Sequence, residues 1–238
     1  MTKMLWIVPA RSRPDNIARL ISLWQTTRVM ADLLVVCDED DPELDAYEKV
    51  DLNFQGFPWV RFELEPRMMI SGKLNKWAVR EAEHYDVIGF MGDDHLPKTP
   101  VWDGLMAEQL RRMGTGIVYG NDLFQSANLP TSVAMTSNII KALGYMVPPT
   151  IQHLYIDNFW LTLGREADCI EYMEHVIIEH IHPHAGKAEG DEQYDRVNST
   201  EQYNRDSNAF KTYTRKGLAD DVAKIRQLGN NFNHAENS

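Results

Sequence analysis

"YDVIGFMGDDHLPKTP", residues 85–100, is the stretch on which the fold turns. A short apolar run, Val87 to Met91, opens into two adjacent carboxylates and an imidazole, Asp93, Asp94 and His95, and stops at Pro97. The run is too short for an ordinary helix and reads as a buried strand. Charge gathered just past a strand's carboxyl end is the arrangement of open α/β sheets, whose ligands bind outside that end.

Working outward, the pattern repeats. "MLWIVPA", residues 4–10, is apolar up to Pro9 and gives way to "RSRPDN"; Asp15 and Asn16 can cap a helix in which Ile17, Leu20, Ile21 and Trp24 recur at helical spacing. "ADLLVVCDEDDPE", residues 31–43, is a second apolar run that opens into Asp38, Glu39, Asp40 and Asp41. "WVRFELEP" alternates as a third strand, "KLNKWAVREAEHY" reads as a helix, and "DVIGFMGDDH" is the fourth strand. Unbroken apolar strands alternating with helices predict an α/β fold with a parallel sheet covered on both faces. The polar loops 9–16, 37–43 and 92–98 should then share one rim.

The second half is less regular. "GIVYGND" reads as a strand, "SNIIKALGY" as a helix ended by Gly144, and "DNFWLTLGREA" as another helix. "CIEYMEHVIIEHIHP" carries a late strand whose alternation puts His180 and His182 on one face. From 184 to 208 apolar residues nearly vanish, which predicts a mobile loop or lid, then a terminal helix from about 216 to 228 and a polar tail.

With 238 residues and 43% hydrophobic content the chain can bury one sizeable core. It shows no signal-peptide pattern and no apolar run near the ~20 residues of a membrane span, so a soluble, cytoplasmic protein is expected. Cys37 and Cys169 lie far apart in apolar contexts, as packed, reduced thiols do. A net charge of -11 argues against broad phosphate neutralisation on duplex DNA. Two local basic groups remain, Arg61, Arg67, Lys73, Lys76 and Arg80, and Arg205, Lys211, Arg215 and Lys216; each reads equally as a solvated face or as a groove.

Adjacent carboxylates facing a cleft repel each other unless a cation or donors intervene, and oxygen ligands of this kind suit Mg²⁺ or Mn²⁺. Taken alone, Asp93, Asp94 and His95 are also compatible with a capped turn leading into Pro97. His180, His182 and His184 could bring an imidazole from a second segment. In "HLYIDNFW", residues 153–160, Asp157 sits among aromatic and apolar residues, where a carboxylate can serve as a base or cap the following helix.

Together these segments resemble the GT-A-type glycosyltransferases, and within them the family-2-like, inverting, metal-dependent class. The resemblance implies a Rossmann-related mixed, mostly parallel sheet flanked by helices in a single domain. Residues 1–98 would form the nucleotide-sugar half, 99–183 the acceptor side, 184–212 a flexible loop and 213–238 a C-terminal helix and tail. "IVPARSRPDNI" resembles the first-strand loop that holds the nucleotide, implicating Pro9, Ala10, Arg11 and Arg13. "VVCDEDD" resembles the second strand, with Asp38, or else Asp40, on the base. "GKLNKWAVREAEHYDVIGFMGDD" resembles the segment ending in the metal-binding Asp-x-Asp; on that mapping Asn75 and Asp93 face the donor, Lys73 meets the diphosphate, and Asp94 holds the ion. The first motif position is Gly92 rather than Asp, which leaves Asp93 and His95 as alternative helpers of Asp94.

Downstream, "HLYIDNFW" resembles the segment carrying the catalytic base, assigned to Asp157, and "EHIHPHAGKAEGD" resembles the late histidine of the metal shell, with His182 favoured over His180. Lys187 and Asp191 fall in the loop expected to close over the donor. The implied cofactor is Mn²⁺ or Mg²⁺, the donor a nucleotide-diphosphate sugar with UDP favoured, and the acceptor a hydroxyl on a glycan or lipid-linked sugar. The pattern is also similar to glycosyltransferases encoded by bacteriophages, which would make a hydroxymethylated pyrimidine in DNA an alternative acceptor and a host cytoplasm the location. Competing readings are a nucleotidyltransferase, disfavoured because "PARSRPD" lacks glycine, and a non-catalytic nucleotide-sugar-binding module, favoured by Gly92.

Overall fold

The computed structural model describes residues 2–54, 56–181 and 199–235. The first half runs β1 (Met4–Ala10), α1 (Pro14–Thr27), β2 (Asp32–Asp38), α2 (Leu44–Asn53), β3 (Val60–Glu65), α3 (Ile70–Glu81), β4 (Val87–Phe90) and the short β5 (His95–Pro97). The second runs α4 (Trp102–Met113), β6 (Ile117–Asn121), a 3-10 turn at Ser126–Asn128, β7 (Val133–Thr136), α5 (Ser137–Leu143), α6 (Ile156–Ala167) and β8 (Ile170–His180). Two helices close the chain, α7 (Thr200–Lys216) and α8 (Leu218–Ala235).

The strands form one sheet in the order β3-β2-β1-β4-β7-β6-β8-β5. β3, β2, β1 and β4 are mutually parallel, and β6 runs parallel to β8. β7 enters antiparallel between β4 and β6, and β5 pairs antiparallel with β8. The expected mixed, mostly parallel α/β sheet is what the chain forms.

The unbroken apolar strands follow from covering both faces. Leu5 and Ile7 of β1 join a core with α3, α5, α6 and α8, while Met4, Trp6 and Val8 join a second core with α1 and α4. There Trp6, Trp24 and Trp102 meet edge to face, their centroids 4.9–6.3 Å apart, the geometry aromatic quadrupoles favour. Gly89 of β4 makes room for this cluster, since a Cβ would lie 2.4 Å from the Trp6 ring. Cys37 and Cys169 are buried and unpaired, and burial pushes both thiols up to about 12, consistent with packed, unreactive sulfur. Among the described residues no helix is long and apolar enough to cross a membrane.

Three expectations are corrected. The fourth strand ends at Phe90, and His95–Pro97 is a separate strand, because pairing with β8 captures it: His95 lies opposite His180. The predicted loop of 184–212 is helical from Thr200, with Ser199 as N-cap accepting from the Gln202 amide at 3.3 Å. Its sequence looks unpackable because much of its buried face is polar: Asp206 and Ser207 are buried beside Tyr213. The single terminal helix is two, α7 ending at Lys216 and α8 beginning at Leu218.

Candidate active site

The loops after β1, β2 and β4 do meet on one rim, and hydrogen bonds between side chains and backbone lock them together. Arg11 Nη1 reaches Asp38 at 3.1 Å and Asp40 at 2.6 Å. The Ser12 amide donates to Asp41 at 2.9 Å, with Ser12 itself in the left-handed region. The Arg13 amide donates to the Tyr47 hydroxyl at 2.9 Å, and its guanidinium pairs with buried Asp93 at 3.3 Å. The rim surrounds a cleft of about 470 Å³, within the range of small-molecule sites.

Pro9, Ala10, Arg11 and Arg13 line this cleft, as do Asp38, Lys73, Asp93, Asp94, His95 and Asp157. Asp38 and Lys73 form a buried pair, Oδ1 to Nζ 2.7 Å, so the lysine expected on the diphosphate is already neutralised by the carboxylate expected on the base. Asp40 lies outside the lining, exposed between Arg11 and Arg67. The hydrogen bond to Arg11, ahead of a weaker opposing effect of desolvation, holds its carboxyl below the usual range.

Asn75 does not face the cleft. Its amide donates to Val147 O at 2.7 Å, and its carbonyl accepts from the Met146 and Val147 amides at 2.9 Å each. It clamps α3 to the segment after α5, a structural role that uses the groups a ligand would need. His182, His184, Lys187 and Asp191 lie outside the described residues.

The carboxylate and histidines of the opening motif converge. Asp94 Oδ1 is 3.0 Å from His95 Nδ1, and Asp94 Oδ2 is 3.3 Å from Nε2 of His180, at the end of β8. The two imidazoles stack with centroids 4.0 Å apart. The Ile181 amide donates to Asp94 O at 2.9 Å, which fixes the end of β8 against the motif. Burial works to raise the Asp94 carboxyl, but hydrogen bonds from His180 and His95 outweigh it and hold the group well below the usual carboxylate range. Burial, then the neighbouring His95, push His180 below its ordinary value against the pull of Asp94.

This set fits a divalent ion. One donor atom from each of Asp94, His95 and His180 can be chosen so that all lie within 4.8 Å of one another. Bonds of ~2.1 Å at right angles place neighbouring donors about 3.0 Å apart; Asp94 turns a different oxygen to each histidine, Oδ1 at 3.0 Å from His95 and Oδ2 at 3.3 Å from His180. The Gly92 amide also points at His95 Nδ1, 3.2 Å away. A ring nitrogen has one lone pair or one proton, so Nδ1 either accepts from Gly92 or donates to Asp94 Oδ1, according to the tautomer. His95 Nε2 is buried with no hydrogen-bond partner among the described residues, as occurs where a site is built for more than its own side chains.

Gly92 explains the departure from Asp-x-Asp. A Cβ at 92 would lie 2.6 Å from Asp94 Oδ1 and 3.0 Å from His95 Nδ1, so any side chain collides with the pair it would assist. Gly92→Ala should therefore lower Mn²⁺ affinity about 10- to 100-fold, the cost of disturbing groups that orient metal ligands, with the fold intact. Calorimetric titration of Mn²⁺ and a thermal melt check both halves.

Asp157, in the first turn of α6, lines the cleft. Burial pushes its carboxyl up to about 7, with His180 opposing and Asp122 adding to the rise. The N-cap of α6 is Tyr155, with no side-chain cap bond, so the capping alternative is not realised.

Two buried carboxylates hold the second wall, and sequence reading singled out neither. Asp122 Oδ1 accepts the amides of Phe124, Gln125 and Ser126, while its Oδ2 accepts from Thr131, which lines the cleft. The signal available was "ND" after a strand, which favours side-chain-capped turns. Asp206 of α7 accepts the amides of Gln152, His153 and Leu154 at 2.8–2.9 Å. Nothing in the sequence marks that long-range clasp. Asp206→Ala leaves buried amides unsatisfied and should cost about 3 kcal/mol, read by urea unfolding.

An open α/β sheet, a nucleotide-sized cleft at the carboxyl ends of β1, β2 and β4, and an acidic strand-end motif together define the GT-A fold of glycosyltransferases. Solved structures agree on that fold. A mannosyltransferase from Pyrobaculum calidifontis, in complex with GDP-Man and Mn²⁺, superposes with TM-score 0.60 at 11% identity, covering 95% of this chain and 73% of that one. S. aureus TarS 1-349 in complex with UDP gives TM-score 0.57 at 13% identity, covering 98% and 92%. Glucosyl-3-phosphoglycerate synthase from Mycobacterium tuberculosis, with Mn²⁺, UDP and glucosyl-3-phosphoglycerate, gives 0.56 at 12%, covering 78% and 75%. No protein-family model and no curated protein matches the chain.

Proposed function

We propose that this protein is a glycosyltransferase that moves a sugar from a nucleotide-diphosphate donor, UDP-linked in the favoured case, to an acceptor hydroxyl with inversion. One observation carries the reading: Asp94 with its two histidines, and Asp157, line one cleft whose nucleotide side is built from the loops after β1 and β2. The solved structures of like fold contain GDP-Man or UDP, two of them with Mn²⁺, in agreement with this assignment.

Asp94, His95 and His180 would hold Mn²⁺ or Mg²⁺. When bound, the ion supplies Lewis-acid charge neutralisation for a departing diphosphate. Asp38, held by Arg11 and Lys73, keeps further lone pairs on its oxygens for a base N–H. Arg13 and Arg67 bring positive charge to the walls of the cleft. His182 and Lys187 are assigned to the metal shell and the donor on the resemblance alone.

Asp157 removes the proton from the acceptor hydroxyl as that oxygen bonds to the anomeric carbon and the bond to diphosphate breaks. The displacement occurs in one step, from the opposite face, and needs no covalent intermediate. The assay is release of nucleoside diphosphate from UDP- and GDP-sugars with Mn²⁺. Release that depends on the ion and on Asp94 supports the reading; pyrophosphate release instead would indicate nucleotidyl transfer, and no turnover of any donor would leave only a binding module.

The first basic group does not form a free groove. Arg61 and Arg80 pair with Glu81 and flank the Trp77 ring, Lys76 pairs with Glu65, and Lys73 pairs with Asp38.

A further inference from the structure

The acceptor side of the cleft carries an aromatic surface that the chemistry above does not use. Tyr155 lines the cleft two residues before Asp157. Its ring stacks on Phe210 of α7, with centroids 5.6 Å apart and planes at 26°, and it meets Tyr203 at 5.6 Å and 56°. Tyr203 is 51% exposed, although a large aromatic side chain normally gains by being covered.

The backbone is held to keep this surface in place. Tyr155 has φ 66°, a left-handed conformation that is strained for a bulky residue and persists only where its surroundings enforce it. The enforcing contacts are the three amides of residues 152–154 on the buried Asp206 carboxylate, which also accepts from Gln202. Gln152 in turn accepts from the Arg205 guanidinium at 3.0 Å, giving the aromatic patch a hydrogen-bonding border that carries one positive charge.

We propose that Tyr155 and Tyr203, backed by Phe210, form a platform on which a pyranose ring of a saccharide acceptor lies, presenting one hydroxyl to Asp157. This rests on the glycosyltransferase reading and adds the class of acceptor. A pyranose offers a face of C–H bonds with slight positive charge, which suits the negative face of an aromatic ring, and a rim of hydroxyls, which suits the tyrosine hydroxyls and the amide border. The surface is poorly suited to DNA. Arg205 and Lys211 are the cations beside the aromatic residues, Arg215 and Lys216 lie further along α7, and the chain's net charge is -11, whereas duplex binding draws on several phosphate contacts.

The test is saturation-transfer NMR with the methyl glycosides of glucose, N-acetylglucosamine, mannose and galactose, on the full chain with UDP and Mn²⁺. At least one glycoside should bind, Tyr203→Ala should weaken it about tenfold, and Tyr203→Trp should retain it, the size expected for one aromatic contact. The proposal fails if no glycoside binds, if Tyr203→Ala binds as well as the parent, or if Tyr203 matters only for an oligonucleotide containing hydroxymethylcytosine. UDP binding with Mn²⁺, followed separately, reports on the glycosyltransferase reading. Its absence would sink that reading while the glycoside data still decide for or against the platform.

Discussion

Asp94→Ala should remove Mn²⁺ binding and lower sugar transfer by on the order of a thousandfold, the scale of losing preorganised charge stabilisation at a leaving group. Asp94 is the residue common to both contacts of the cluster, one oxygen toward His95 and the other toward His180. Its loss therefore removes the one carboxylate that bridges the two stacked imidazoles. The structural alternative is that Asp94 serves only to bridge β5 and β8. Asp94→Asn separates the two, because the amide oxygen can still accept from one imidazole and the backbone bond from Ile181 is untouched. On the metal reading Asp94→Asn loses ion binding and turnover with a melting temperature near the parent's. On the bridging reading both variants would melt early while retaining transfer per folded molecule. Titration calorimetry with Mn²⁺, a thermal melt and initial rates of diphosphate release distinguish them.

The first half of the fold was legible because β1, β2 and β4 are covered on both faces, which makes them unbroken apolar runs with charge beyond them. The rim formed by the loops after β1, β2 and β4 was legible for the same reason, since loops at the carboxyl ends of neighbouring parallel strands must meet. Asn75 shows the limit of motif transfer. The pattern put it on the donor, but its amide is consumed by the backbone at 146–147, a contact across more than seventy residues. α7 was hidden because its anchor is Asp206, an acidic side chain with no exposure, and hydrophobic periodicity cannot report a helix that docks through hydrogen bonds to a loop. His180 was visible in the alternation of β8. What placed it on Asp94 is the pairing of β8 with β5, three residues long, which no local pattern announces.

Asp157→Asn should lower kcat by about 10²- to 10⁴-fold, the contribution of a positioned general base, while leaving UDP affinity with Mn²⁺ unchanged. The substitution preserves shape and removes only the capacity to take a proton. Among the described residues no hydrogen bond or ion pair holds the Asp157 side chain, and the favourable charge interaction lost on replacement is the one with His180. Burial already disfavours its charged form, so an uncharged amide should leave the melting temperature equal or slightly higher. That combination, a large rate loss with intact donor binding and intact stability, is what a residue acting on the acceptor proton predicts. A carboxylate needed to hold the donor would raise the donor KM instead, and one needed by the helix would lower the melting point. Steady-state kinetics with donor and acceptor varied separately read the split, and NMR of the anomeric proton of the product reads the stereochemistry: inversion agrees with a single displacement assisted by Asp157, whereas retention would require a mechanism that this one base does not supply.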